Sequence, residues 1–384
     1  MKKRKKTALV FSGGGSRGAY QAGAWQALTE LGISVDIVTG TSVGAINGAV
    51  VVQNDLELAV KLWREIETHM IFDVPEGFKM QDYAKEFVKN KGASTSGLKK
   101  LLEEYIDEEK VFHSPIDYGL VVVKKSSMEP RYVFKEDMKK GQLIDYILAS
   151  ASIYPALKSH VIEGVEYIDG GYADVLPVKM AAEKGADEII AVYLDALGFV
   201  NRKNLQDVKN LTWIESKWNL GSTLIFDTAN ARRIMRLGYL DTMKAYHVFD
   251  GEYYTFAKNT FDVKTTLQAD HAAYFFKLDP CLIYTKASFL EKLQAEIYDC
   301  AEELEELRTR FHHVTVASMA DLKALLKIAG EDVIDVAQRR SLAIFVAEHI
   351  RDHGKDSFFL SHAAEKLLPE LVAAGKFLVT YDLV

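Results

Sequence analysis

Short apolar blocks alternate with glycine turns and longer mixed segments along the first half of the chain. Lys6 to Phe11 is a compact apolar run of strand length, predicted as a buried strand. Gly18 to Leu31 places Ala19, Ala22, Ala24, Leu28 and Leu31 on helical spacings. Val35 to Thr39 predicts a second strand, and a second helix begins over Ala45 to Val52. Strand, glycine turn, helix, repeated twice, is the pattern of a parallel α/β sheet. Right-handed crossovers would put both turns at the carboxyl edge of that sheet.

Further on, Leu56 to Asp107 has a mostly helical pattern. "GLVVVKK" from Gly119, "RYVFK" from Arg131 and "DEIIAVYLD" from Asp187 predict strands, and Leu143 to Ser152 a helix ended by Pro155. From Leu197 the chain turns polar and mainly helical. Ser288 and Glu291 have capping-box spacing. Leu290, Leu293, Ile297, Cys300, Leu304, Leu307 and Phe311 then fall at alternating steps of three and four. That seam suits packing within its own domain, or a homo-oligomer contact over 290–311.

Composition narrows the classes. The chain has 384 residues, 48% hydrophobic and 26% charged, enough for one large or two medium domains. A net charge of -7 argues against nucleic acid as a partner. Two cysteines, Cys281 and Cys300, disfavour a disulfide framework and fit a cytoplasmic setting. No apolar stretch approaches the ~20 residues needed to span a bilayer. Lys2, Lys3, Arg4, Lys5 and Lys6 form a basic run. It reads first as a solvated tail, and second as a peripheral contact with anionic membrane.

Two turns carry chemistry. In "VTGTSVGAING", Gly40, Thr41, Ser42, Val43 and Gly44 spell G-x-S-x-G between a strand and a helix, the setting of a nucleophile elbow. In "SGGGSRGAYQAG", Gly13, Gly15 and Gly18 also match a dinucleotide fingerprint. That reading needs an acid at the far end of the second strand. Asp36 lies at the near end, and the serine turn occupies the ribose position. The glycine loop is therefore read as an array of backbone donors, with the N–H groups of Gly14 and Gly15 suited to an oxyanion. Arg17 is either a pin for the loop or part of its positive field. Asp169, at the end of "EYID" and before Gly170 and Gly171, is a turn-former on its own evidence and a possible base in combination.

Taken together, "GGGSRGAYQAG", "GTSVGAING" and "DGGYADVLPV" resemble the patatin-like phospholipase family. "ILASASIYPAL" from Ile147 and "GADEIIAVYL" from Gly185 support the resemblance, which runs from about Lys6 to Leu194 with a fainter echo at "ARRIMRLGYLDT" from Ala231. It implies a central, mostly parallel sheet sandwiched by helices over 1–196. A helical continuation over 197–250 and a mainly helical region of unassigned role over 251–384 would follow. It implies a lipid acyl hydrolase needing no metal or cofactor, with Ser42 as nucleophile and Asp169 as base. Gly13, Gly14, Gly15, Arg17 and Gly18 would form the oxyanion loop. Histidine would take no part: His160 precedes Asp169, against the usual triad order, and His247 lacks a site-like turn. The competing readings are a nucleotide-dependent Rossmann enzyme and a scaffold with a vestigial site.

Overall fold

Strand β1, Thr7–Phe11, is buried from Ala8 to Phe11, as a strand covered on both faces must be. It pairs in parallel with β2, Ile37–Gly40, so that Phe11 lies beside Gly40 and both strands end at the same edge. Helices follow each: α1, Ala19–Glu30, and α2, Val43–Val52. Helix α2 starts two residues before the expected Ala45, because Ser42 already serves as its N-cap.

The chain is seen in a computed structural model that describes residues 4–72, 94–196, 210–300 and 336–384, with single positions at 198, 200, 205, 208 and 305. Two units emerge, Met1–Ala245 and Tyr246–Val384.

The first unit holds an eight-stranded sheet. Its remaining strands are β3 (Asp117–Lys124), β4 (Glu129–Phe134), β5 (His160–Ile162), β6 (Val165–Asp169), β7 (Glu188–Tyr193) and β8 (Leu211–Glu215). The centre, β3-β2-β1-β7-β8, is parallel; β4, β5 and β6 join antiparallel beyond it. Helices cover both faces. Val38 lies under Gly48 of α2, while Ala8, Val10 and Ile37 pack on the helix Val178–Glu183. The polar region after Leu197 contains β8, which the expectation of a mainly helical segment missed. Its edge position leaves Leu211, Thr212 and Trp213 only half buried, so no apolar run announces it.

One pairing matters most for the site. Strand β4 pairs with Gly119–Lys124 along one edge of β3. The other edge therefore holds both β2, opposite Asp117 to Leu120, and β6, opposite Val122 to Lys124. Running in opposite directions along one edge, β2 and β6 meet end to end: Gly40 lies opposite Leu120 and Asp169 opposite Val122.

In the second unit, strands β9 (Phe249–Asp250), β10 (Thr255–Ala257) and β11 (Ile283–Tyr284) form a small sheet among helices. The helix Lys286–Asp299 is capped one turn earlier than the Ser288–Glu291 spacing suggests. Thr285 is its N-cap, accepting from the Ser288 N–H at 3.3 Å while the Thr285 N–H donates to Ser288 Oγ at 3.0 Å. Its buried stripe is Phe289, Leu293 and Ile297, with Phe289 against the rings of Phe256 and Phe377 in the same unit. Leu304, Leu307 and Phe311 of the proposed seam lie outside the described residues. Cys281 is half-buried and Cys300 buried, with Cys300 Sγ donating to the Ile297 carbonyl at 3.2 Å. Among the described residues, no helix is long and apolar enough to cross a membrane.

Candidate active site

The Ser42 backbone sits at φ 57°, ψ -126°, a left-handed conformation costing a non-glycine residue about 1–3 kcal/mol. The sequence around it permits that turn. A Cβ on Gly40 would stand 2.2 Å from the Gly44 carbonyl, and one on Gly44 would stand 2.4 Å from that of Phe11. Only glycine lets strand and helix cross this closely. The turn is held by hydrogen bonds. The Thr41 N–H donates to the Phe11 carbonyl (3.3 Å), Thr41 Oγ1 donates to the Asp174 carbonyl (2.8 Å) and the Ser42 N–H donates to Ser150 Oγ (2.9 Å). Val43, the first residue of α2, faces the cavity described below.

Asp169 arrives from the opposing strand end, 4% exposed. Its Oδ1 accepts from the Gly171 N–H at 2.7 Å, and the Ser42 hydroxyl lies near enough to its carboxylate to favour the charged form. Burial pushes the carboxyl up to about 6, outweighing the opposing pull of these two donors. Gly170 makes the approach possible: a Cβ there would stand 2.3 Å from the Val121 carbonyl and 2.9 Å from Thr41 Cγ2.

The glycine loop faces the same point. Gly13, Gly14 and Gly15 line a cavity together with Ser42 and Asp169. The five loop residues differ in what they offer. The Gly13 N–H already donates to the Val175 carbonyl (2.9 Å) and the Arg17 N–H to that of Gly14 (3.2 Å). Among the described residues no hydrogen bond is made by the N–H groups of Gly14 and Gly15. Gly15 has φ 55°, and a Cβ there would lie 2.0 Å from the Thr223 carbonyl. Arg17 is a pin. Its guanidinium donates to the carbonyls of Gly221 (2.9 Å), Leu194 (3.1 Å) and Asp195 (2.6 Å), which tie the loop to those segments. Gly18 is a packing residue, whose absent Cβ makes room for Val43 and Trp63.

A cavity of about 160 Å³ opens from this point. Val43, Ile46 and Val50 of α2 form one wall, and Leu98, Leu101, Leu102 and Tyr105 of the helix Ser96–Tyr105 another. Helix α3, Leu56–Glu65, supplies Leu62 and Trp63. Nearly every lining side chain is apolar, and none is histidine. His160 is on β5, its Nε2 2.9 Å from Asp145 Oδ1, and His247 is an exposed residue of the second unit.

Other sequence candidates lie elsewhere. Asp36 is bound at the amino end of β2, accepting from the Thr7 N–H (3.0 Å) and from Arg4 (2.8 Å), where no dinucleotide ribose could reach it from the glycine loop. Lys5 pairs with Glu188 (2.7 Å) and Lys6 lies 3.6 Å from Asp117. These charges of the basic run thus sit on acids at the sheet edge opposite Ser42; Lys2 and Lys3 lie outside the described residues. Sequence reading missed Ser150, Asp174, Gln21 and Asn47. Each is a buried polar residue in an otherwise apolar or small-residue stretch, the one signal that could have flagged them. Asp174 is a second carboxyl raised to about 6 by burial, accepting from the Tyr132 hydroxyl at 3.2 Å.

A family model described as "Patatin-like phospholipase" matches residues 9–182. The chain is similar to "Patatin-like phospholipase domain-containing protein 7" of Rattus norvegicus, 26% identical over 62% of this chain and 17% of that protein. It is also similar to "Lysophospholipase NTE1" of Kluyveromyces lactis, 29% identical over 62% of this chain and 16% of the relative. The chain thus matches about a sixth of the length of these relatives. Among solved structures, VipD from Legionella pneumophila aligns over 98% of this chain and 92% of its own, at 15% identity and a TM-score of 0.44. Residues 9–182, which contain the glycine loop, the serine elbow and the aspartate turn, are thus the part of the chain that matches the patatin-like phospholipase family.

Proposed function

We propose that this protein hydrolyses carboxylic acyl esters of lipids, in the manner of a phospholipase A, through Ser42 and Asp169 and without histidine. The observation that carries the proposal is the meeting of a strained, partly exposed serine with a buried carboxylate on the lining of one apolar cavity. A carboxylate raised to about 6 remains ionised at neutral pH and is a better proton acceptor than an ordinary aspartate.

The acyl chain enters the cavity and brings its ester carbonyl to Ser42. As Ser42 Oγ bonds to the carbonyl carbon, Asp169 takes the hydroxyl proton. The carbonyl oxygen becomes an oxyanion, which the N–H groups of Gly14 and Gly15 receive. A well-placed donor of this kind stabilises the transition state by roughly 3–4 kcal/mol. The C–O bond to the alcohol then breaks, and Asp169 returns the proton to the leaving oxygen. Water repeats the sequence on the acyl-serine: its proton goes to Asp169, the carboxylic acid departs, and Ser42 regains its hydrogen.

The test is a fluorophosphonate probe on the purified protein, with the labelled residue mapped, alongside hydrolysis of p-nitrophenyl acyl esters. Labelling at Ser42 and loss of both reactions in a folded Ser42→Ala variant are expected. Retained turnover in Ser42→Ala would rule out the serine assignment.

A further inference from the structure

Four buried hydrogen bonds join the glycine loop to the acyl wall. The Trp63 indole N–H donates to Asn47 Oδ1 at 3.0 Å. Asn47 Nδ2 donates to Gln21 Oε1 at 2.8 Å and to the Gly18 carbonyl at 3.0 Å. Gln21 Nε2 donates to the Ser12 carbonyl at 2.7 Å. Ser12 and Gly18 bracket the loop that contains Gly14 and Gly15. Gln21 is 0% exposed, and Asn47 and Trp63 are each 6% exposed, so no solvent replaces a lost partner.

The polarity of this chain is forced. An indole N–H can only donate and a backbone carbonyl can only accept. With Trp63 at one end and Ser12 at the other, both amides have a single orientation that satisfies every atom. Neither side chain touches the reacting atoms, and neither is free to turn. The Trp63 ring itself lines the acyl cavity and stacks on Phe226, with centroids 6.3 Å apart.

We infer that Asn47 and Gln21 are positioning residues: they hold the glycine loop in the register that aims the Gly14 and Gly15 N–H groups, and tie that register to the acyl wall through Trp63. The role of the loop rests on the acyl-hydrolase reading; the network does not. An oxyanion exists only along the reaction path, so misplacing its donors lowers kcat and leaves KM nearly as it was.

Two variants test this. Trp63→Phe keeps a ring in the cavity wall and deletes only the indole donor. Asn47→Asp is nearly isosteric but sets an acceptor against two acceptors, the Gly18 carbonyl and Gln21 Oε1. Hydrogen exchange over residues 12–18, followed by mass spectrometry, reads the loop without needing turnover. Faster exchange is expected in both variants relative to wild type, along with a kcat lowered by about tenfold or more at a KM within about threefold, an effect below that of deleting an oxyanion donor outright. Unchanged exchange over 12–18 in folded Trp63→Phe would overturn the network, as would faster exchange with kcat fully retained. A wild-type protein that cleaves no ester would instead sink the acyl-hydrolase reading, and the exchange result would still decide whether the network holds the loop.

Discussion

At the scale of single residues, Asp169 is held between two demands. The proposed mechanism needs it ionised, while burial favours the neutral form. Its carboxyl at about 6 lies above the ordinary value of 3.8, so the folded state binds the proton more tightly than the unfolded chain. Stability from this group is therefore fully present below about 4 and is lost as pH rises toward 6. Above 6 the buried charge costs the fold up to roughly 3 kcal/mol, the free-energy equivalent of that gap. Asp169→Asn should thus melt at a higher temperature than wild type at pH 8, with the difference closing toward pH 4. The same variant should lose most ester hydrolysis. Wild-type kcat/KM should fall about tenfold per pH unit well below 6, as the base is protonated. A variant no more stable at pH 8 than at pH 4, relative to wild type, would contradict the linkage.

Histidine belongs to the same scale. His160 is paired with Asp145 on the far strand β5, and His247 lies in the second unit. His160→Ala and His247→Ala should each retain ester hydrolysis within about tenfold of wild type, since losing a general base costs 10²-fold or more. If either abolished turnover without unfolding the protein, the histidine-free mechanism would be wrong.

At the scale of elements, α2 does two jobs along one axis. Its N-terminus presents Ser42, and its side lines the cavity with Val43, Ile46 and Val50 at helical spacing. The Gln53 amide, at the helix C-terminus, donates to the Tyr105 carbonyl at 3.0 Å and sets Tyr105 at the deep end. With a rise of 1.5 Å per residue, Val50 lies about 12 Å below Ser42. On the proposed function, the helix would then act as a ruler for the acyl chain. Phenylalanine at position 46 or 50 fills the cavity at two different depths. Along p-nitrophenyl esters from acetate to palmitate, Ile46→Phe should shift the kcat/KM profile to shorter chains than Val50→Phe does. Each methylene denied burial should cost about fourfold in the long-to-short ratio. Profiles that scale down uniformly at all lengths would show that the chain does not run along α2.

At the scale of the whole molecule, every residue of the elbow, the loop, the aspartate turn and the cavity lies between Gly13 and Phe226. All belong to the unit Met1–Ala245, which has its own sheet and helices. The long helix Thr228–Ala245 completes that unit: its Gly238 backbone meets Tyr20 of α1, where a Cβ would stand 2.0 Å from the Tyr20 carbonyl. A chain ending at Ala245 is expected to fold, melt cooperatively and label with a fluorophosphonate at Ser42. A soluble, folded 1–245 protein that takes no label would assign the second unit a part in the chemistry.

The amino-acid sequence by itself determined what short-range sterics control. Gly40 and Gly44 around Ser42 dictate a tight strand-to-helix crossing, because any side chain there would collide with backbone. The apolar blocks at Ala8–Phe11 and Ile37–Thr39 likewise dictate buried parallel strands. Three features required the tertiary structure. Ser42 and Asp169 meet because β2 and β6 share one edge of β3 in opposite directions, a pairing between distant segments that no local pattern encodes. Which loop donors are already engaged was decided by distant acceptors: Val175 takes the Gly13 N–H, while Gly221, Leu194 and Asp195 take the Arg17 guanidinium. The Asp169 carboxyl was set by burial, which depends on everything packed around it and on nothing written beside it in the chain.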